Sequence, residues 1–222
     1  MKNRKITMKT PLKPWEAISV AIVFLVAMLL GLILNSEVFT IAEVSNISMQ
    51  DTLIAGEKLY INKTAYRGRL PERGDIVVFL KGETIDGFFN RLKITSEDLF
   101  LRFSPEMRDN RFIKRVIGVP GDILEIKNGN VFINYLQLNE GYIKGKTFPY
   151  RLEEKMTIPE GTVFVMGDNR ENSDDSRLFG LVELNSIEGK ATFRYWPFDR
   201  MTTFDYSYYE LQRLNGYCFK AQ

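Results

Sequence analysis

The sequence has no histidine and one cysteine, Cys218. The missing histidine excludes Ser-His-Asp and Cys-His catalysis, and His-based metal sites with them. A lone cysteine excludes an internal disulfide and a cysteine cluster. Net charge is slight, +2 over 222 residues, too little to argue for nucleic acid. Internal repeats and low-complexity segments are absent as well. A hydrolase built from this chain needs carboxylates, a deprotonated lysine, or a metal held by oxygen ligands. The length suffices for one good core or two small ones.

What the chain does have begins with a long apolar run. Residues 1–13 carry Lys2, Arg4, Lys5, Lys9 and Lys13 and no acid. Residues 17–36 carry no charge, and twenty helical residues span about 30 Å, the thickness of a bilayer core. After Lys13 the next Lys or Arg is Lys58, while Glu37 and Glu43 intervene. The positive-inside rule then places the N-terminus in the cytoplasm and the remainder outside, with Trp15 at the cytoplasmic interface. A cleaved signal peptide ending at Thr40-Ile41-Ala42 is the alternative, but the run is longer than is usual for one. No face of it is polar, which argues against a buried soluble helix.

The next stretch, Ala42-Glu43-Val44-Ser45-Asn46-Ile47-Ser48-Met49-Gln50-Asp51-Thr52-Leu53, alternates as a strand would. In an extended chain, residues two apart share a face. Asn46 and Ser48 then point the same way, with Ala42 and Val44 behind them. A hydroxyl with an amide donor two residues upstream has the parts of a nucleophile with half an oxyanion hole.

Short strand signals follow. Residues 57–62 alternate, 67–73 form a basic Gly- and Pro-marked loop, and Ile76-Val77-Val78-Phe79-Leu80 reads as a buried strand. Residues 81–111 mix charges with Phe88, Phe89, Leu92, Leu99, Leu101 and Phe103. They admit a short helix or a hairpin extension, and no chemistry is assigned to them. In Phe112-Ile113-Lys114-Arg115-Val116-Ile117-Gly118-Val119, a strand puts Phe112, Lys114 and Val116 on one face. Desolvation there lowers a lysine's pKa and makes it a base near neutral pH. Arg115 is expected to face solvent on the other side.

Pro120-Gly121-Asp122 reads as a turn, and Asn128-Gly129-Asn130 as the connection of a hairpin. Residues 136–159 read as loops and short strands, and 161–166 as another strand. A dense polar loop, residues 167–180, follows. Residues 189–198 read as a last strand whose aromatics, Phe193, Tyr195, Trp196 and Phe198, are expected in the core. The tail is unassigned. Many short strands, with no long helix beyond the apolar run, make the rest mainly β.

Three pieces carry a family resemblance: Ser48-Met49 through Leu53, Lys114 through Gly118 with Pro120-Gly121-Asp122, and Gly167-Asp168-Asn169-Arg170 with Asn172-Ser173 and Asp175-Ser176-Arg177. Gly74-Asp75-Ile76-Val77 adds a fourth. The chain resembles the type I signal peptidases, membrane-anchored Ser/Lys proteases that cut signal peptides from exported proteins. The resemblance implies Ser48 as nucleophile, Lys114 as general base, Ser173 as the hydroxyl orienting that lysine, and Asp175 with Arg177 as a supporting ion pair. It implies preproteins as substrates, with small side chains one and three residues before the cut, and neither metal nor organic cofactor. Asn46 stands where the family often has a hydroxyl, and its carboxamide N–H₂ can donate in the same role. Asp51 stands where the family usually has proline. Val44 and Ile113 are expected in the pocket walls.

The fold expected is an antiparallel β-sheet catalytic domain outside the membrane, residues 37–200, behind a single transmembrane helix, residues 15–36. Residues 1–14 are the cytoplasmic segment and 201–222 the tail. Two rivals are a self-cleaving repressor of the same fold and a catalytically silent membrane-anchored β domain that binds exported proteins. The first requires an N-terminal DNA-binding domain where this sequence has its apolar run. The second is disfavoured by the joint presence of Ser48, Lys114 and Ser173.

Overall fold

A computed structural model describes residues 13–101, 108–152 and 155–204. The basic residues from Lys2 to Lys9, Cys218 and most of the tail lie outside the described residues. Helix α1 runs Pro14–Glu37. It opens with proline at its first turn, where the missing N–H is no loss. The Glu16 carboxylate accepts from the Lys13 backbone N–H at 3.0 Å. Its apolar side chains are exposed all round, as a membrane span requires and a soluble helix does not tolerate.

The chain then folds into strands β1 Phe39–Glu43, β2 Lys58–Asn62 and β3 Ile76–Leu80. Helix α2, Phe88–Leu101, separates these from β4 Arg111–Gly118, β5 Ile123–Lys127, β6 Asn130–Ile133, β7 Leu136–Gln137 and β8 Met156–Thr157. Strand β9 Thr162–Met166, helix α3 Ser176–Phe179, β10 Val182–Glu183, β11 Ile187–Trp196 and β12 Thr202–Thr203 complete it. The larger sheet has the order β1-β2-β11-β3-β4-β9-β10, with β12 paired to β11, and the smaller β7-β6-β5-β8. All of these strand pairings are antiparallel, as the mainly β reading expects.

Local chemistry explains several joints. Asn128 (φ 53°) and Gly129 (φ 80°) link β5 to β6 as a two-residue turn, the geometry Asn-Gly favours. Ile76, Val78, Leu59 and Ile61 are buried with Val44, Met49 and Leu53 in one core. That core anchors the Ser48 segment against the sheet.

Four expectations are corrected. The 44–53 segment is not a strand: β1 ends at Glu43, and Ile47–Met49 is a 3₁₀ turn. Burial of Met49 and Leu53, four residues apart, pulls the chain into turns; Leu53 N–H donates to the Met49 carbonyl at 2.8 Å. Residues 81–111 contain the 14-residue α2, a longer helix than expected outside the anchor. Arg115 is buried, only 3 % exposed. Trp196 and Phe198 are exposed, the latter 71 %. The last register partner of Trp196 on β2 is Lys58, that strand's first residue, so no neighbour continues past it. The two rings pack edge-on at 4.9 Å.

Candidate active site

Ser48 and Lys114 lie 66 residues apart in sequence and touch in space. Strand β4 runs between β3 and β9 near the middle of the larger sheet, with Lys114 opposite Val77. Its Nζ donates to Ser48 Oγ at 2.7 Å and to the Ile113 carbonyl at 3.0 Å. The Phe112 ring lies 5.4 Å from the same nitrogen. Burial therefore lowers the lysine's pKa to about 8, against the opposing pull of Asp175, Asp174 and Asp168.

The Ser48 turn is fixed from the loop that follows β9. Asn169 N–H donates to the Ser48 carbonyl at 3.0 Å, and its side-chain amide to the Ile47 carbonyl at 3.1 Å. Gly167 permits this approach: a Cβ there would stand 2.4 Å from the Ser48 carbonyl oxygen and 2.2 Å from Ser173 Oγ. Every larger residue would push the nucleophile's turn away.

Asp168 joins the two halves of the site. It accepts from Thr52 Oγ1 at 2.5 Å and from Arg115 Nε and Nη2 at 2.9 and 2.7 Å. Arg115 also donates to the Gly74 carbonyl at 2.9 Å and lies 4.1 Å from the Tyr142 ring. Its burial, unexpected from the sequence, is thus matched by a bidentate carboxylate and an aromatic face. The segment holding Ser48 and the strand holding Lys114 share one buried carboxylate.

Asp175 and Arg177 form a fully buried bidentate pair, both contacts 2.8 Å. Asp175 further accepts from Gly167 N–H at 3.0 Å, so the pair holds the glycine that meets Ser48. Arg170 is buried on Glu140 and donates to Thr147 Oγ1 at 2.7 Å. Ser173 is buried beside Gly167, and its Oγ has no hydrogen-bond partner among the described residues. The lysine's hydrogen bonds go to Ser48 and Ile113 instead. Asn46 is the exposed residue preceding the turn. It borders a cavity of about 620 Å³ together with Ser48, Lys114, Val44 and Ile113.

Gly167, Asp168, Asn169, Thr52 and Arg115 were given no individual role in the site by the sequence reading, although all five fall within the segments that carry the family resemblance.

The chemical content of this arrangement is specific. A hydroxyl touches a desolvated lysine at the edge of a cavity sized for a peptide segment, with backbone N–H groups of a tight turn beside it. Such a pair can transfer the serine proton as the oxygen attacks a carbonyl.

Comparison with known proteins points the same way. The family model described as signal peptidase, peptidase S26, matches residues 17–196. A probable signal peptidase I-1 of Synechocystis is 36% identical over 188 residues, covering 84% of this chain and 87% of that protein. A signal peptidase IB of Staphylococcus aureus is 34% identical over 207 residues, covering 86% and 93%. A crystal structure of a signal peptidase I from Enterococcus faecalis aligns over 56% of this chain and 98% of that one, with 31% identity and a TM-score of 0.39.

Proposed function

The chain belongs to the signal peptidase family, peptidase S26, and from that premise and the Lys114–Ser48 contact we infer that these two residues perform its chemistry. It is a serine endopeptidase that removes signal peptides. Ser48 Oγ is the nucleophile, and Lys114 in its neutral form is the base. The observation that carries this is the 2.7 Å contact between a buried lysine and a serine hydroxyl. When the lysine is neutral, the direction of that bond reverses and the hydroxyl donates to Nζ.

The steps follow from proton bookkeeping. Nζ takes the hydroxyl proton as Oγ bonds to the scissile carbonyl carbon. The oxyanion is met by the Ser48 backbone N–H and the Asn46 carboxamide, both at the cavity edge. The ammonium then protonates the leaving amine, giving an ester on Ser48. A water, deprotonated by the same lysine, releases the acid and restores the hydroxyl. Ser173 lies beside Gly167 with a buried hydroxyl that has no partner among the described residues; in this reading it orients the lysine once the bond to Ser48 is spent. Asp175 and Arg177 hold Gly167 and so the nucleophile's turn. Val44 and Ile113 wall the space for the small side chains before the cut.

Exported preproteins that carry signal peptides are the substrates of this reading. Helix α1 spans the bilayer once, with the basic N-terminus in the cytoplasm and the β domain outside. Anchoring keeps the site where an inserted signal peptide presents its cleavage segment, which raises effective concentration.

In detergent, the parent is expected to cut a preprotein after an Ala-x-Ala site, and Ser48→Ala to leave it intact. Gel mobility and the new N-terminus of the product report both. Cleavage by Ser48→Ala at the parental rate would eliminate this reading.

A further inference from the structure

We propose that α2 forms one wall of the substrate groove and that Leu99 and Leu101 bind the stretch of preprotein between its apolar helix and the scissile bond. This rests on the peptidase reading above. The cavity that holds Ser48 and Lys114 does not end at the pocket walls. Its lining includes β1 residues, Asn35 near the end of α1, and Leu99, Leu101, Asp98 and Arg108. It thus connects the catalytic serine to the place where the membrane helix ends. A signal peptide consists of an apolar segment followed by a cut after small residues. The residues that join the two must cover the same ground, from the bilayer beside the anchor to Ser48.

The helix is held there at both ends. Arg91 Nε pairs with Glu37 at 2.8 Å, on the last residue of α1, and Glu37 is also held by Arg67 at 2.6 Å. At its C-terminal turn, Asp98 pairs with Arg108 at 3.1 Å and with Arg111 at 2.5 Å, and Arg108 reaches Glu97 at 2.7 Å. Arg111 opens β4, three residues before Lys114, and bonds Glu188 at 2.9 Å. The wall is therefore fixed to the strand that carries the base.

Helix α2 also has its own buried side. Ile94 packs with Leu80 and Ile85 in a small core. Leu99 is not part of it; it stays 47 % exposed and faces the cavity. The neighbouring Asp98 is neutralised by two arginines, so the wall offers apolar contact rather than a charge. Apolar surface lining a cleft that leads to a reacting group is binding surface.

The test uses the full chain in detergent with two substrates, an intact preprotein and a short peptide spanning only a few residues on each side of the same cut. For Leu99→Glu with Leu101→Glu, the preprotein KM is expected to rise about tenfold with kcat unchanged, while the short peptide is hydrolysed within about twofold of the parent. Leu99→Met with Leu101→Met should restore the parental KM. Phe89→Ser, at a side chain 82 % exposed and outside the cavity lining, should change neither substrate. An unchanged preprotein KM in the Glu variant overturns the inference, and so does an equal loss on both substrates. A parent that cuts neither substrate overturns the peptidase reading itself, and this inference with it.

Discussion

Lys114→Met is expected to abolish cleavage, with kcat lowered roughly 10⁴-fold or more, while the protein remains folded. Methionine is unbranched like lysine, one heavy atom shorter, and apolar. The position is only 3 % exposed, and its ammonium is already disfavoured by burial. Removing the charge therefore costs the fold little or stabilises it slightly. The base is lost, together with its hydrogen bonds to Ser48 and to the Ile113 carbonyl. With no histidine in the chain, the usual substitute for such a base is missing. Preprotein cleavage at pH 8 to 9, read against the unfolding curve of each variant, measures this. A variant that retains within about tenfold of parental kcat would place the base elsewhere.

Asp168→Asn is expected to be the most destabilising single change at the site. It leaves the buried Arg115 guanidinium without its bidentate partner and takes the acceptor from Thr52. Breaking a buried ion pair from one side costs about 3–5 kcal/mol, because the remaining charge stays buried. In a chain of this size that lowers the unfolding midpoint by about 6–20 °C. Activity should fall further than the folded fraction does, since Ser48 and Lys114 lose their shared tie. Asp168→Leu combined with Arg115→Met should regain most of the stability, because no unpaired charge remains. Thermal unfolding of the three proteins decides it. A midpoint within about 2 °C of the parent in Asp168→Asn would mean that the pair carries no net stabilisation.

The contacts of Asp168 escaped the sequence reading because Thr52 and Arg115 lie far from it along the chain. Arg115 looked solvent-facing because strand alternation put it opposite Lys114, which is correct. What alternation does not reveal is that the other face is covered as well, by Tyr142 and by a carboxylate 53 residues away. The central strands were legible because Ile76–Leu80 and Thr162–Met166 are apolar runs buried on both sides. The Asn128-Gly129 hairpin was legible because its turn type demands positive φ from those residues.

Ser48 was singled out partly on a wrong reading of its backbone. The two-residue spacing of Ala42, Val44, Asn46 and Ser48 suggested a strand, whereas Met49 and Leu53 are buried together by turning. The serine is presented by that turn, not by a strand face. Helix α2 was obscured because its charged residues read as surface, while Arg91, Arg108 and Arg111 are all engaged in ion pairs across element boundaries. Trp196 and Phe198 looked like core by composition; the end of the β2 ladder leaves them exposed among the described residues.

The central claim is that a lysine neutralised by burial activates Ser48. The pH dependence of kcat/KM tests it most directly, because the free enzyme's base sets the profile. Only the neutral lysine can accept the proton, and burial moves its pKa down to about 8. The rate is therefore predicted to climb about tenfold per pH unit below that value and to level off above it. A profile that is flat from pH 6 to about 9, or one that climbs only near the ordinary lysine value of about 10.4, would contradict the account.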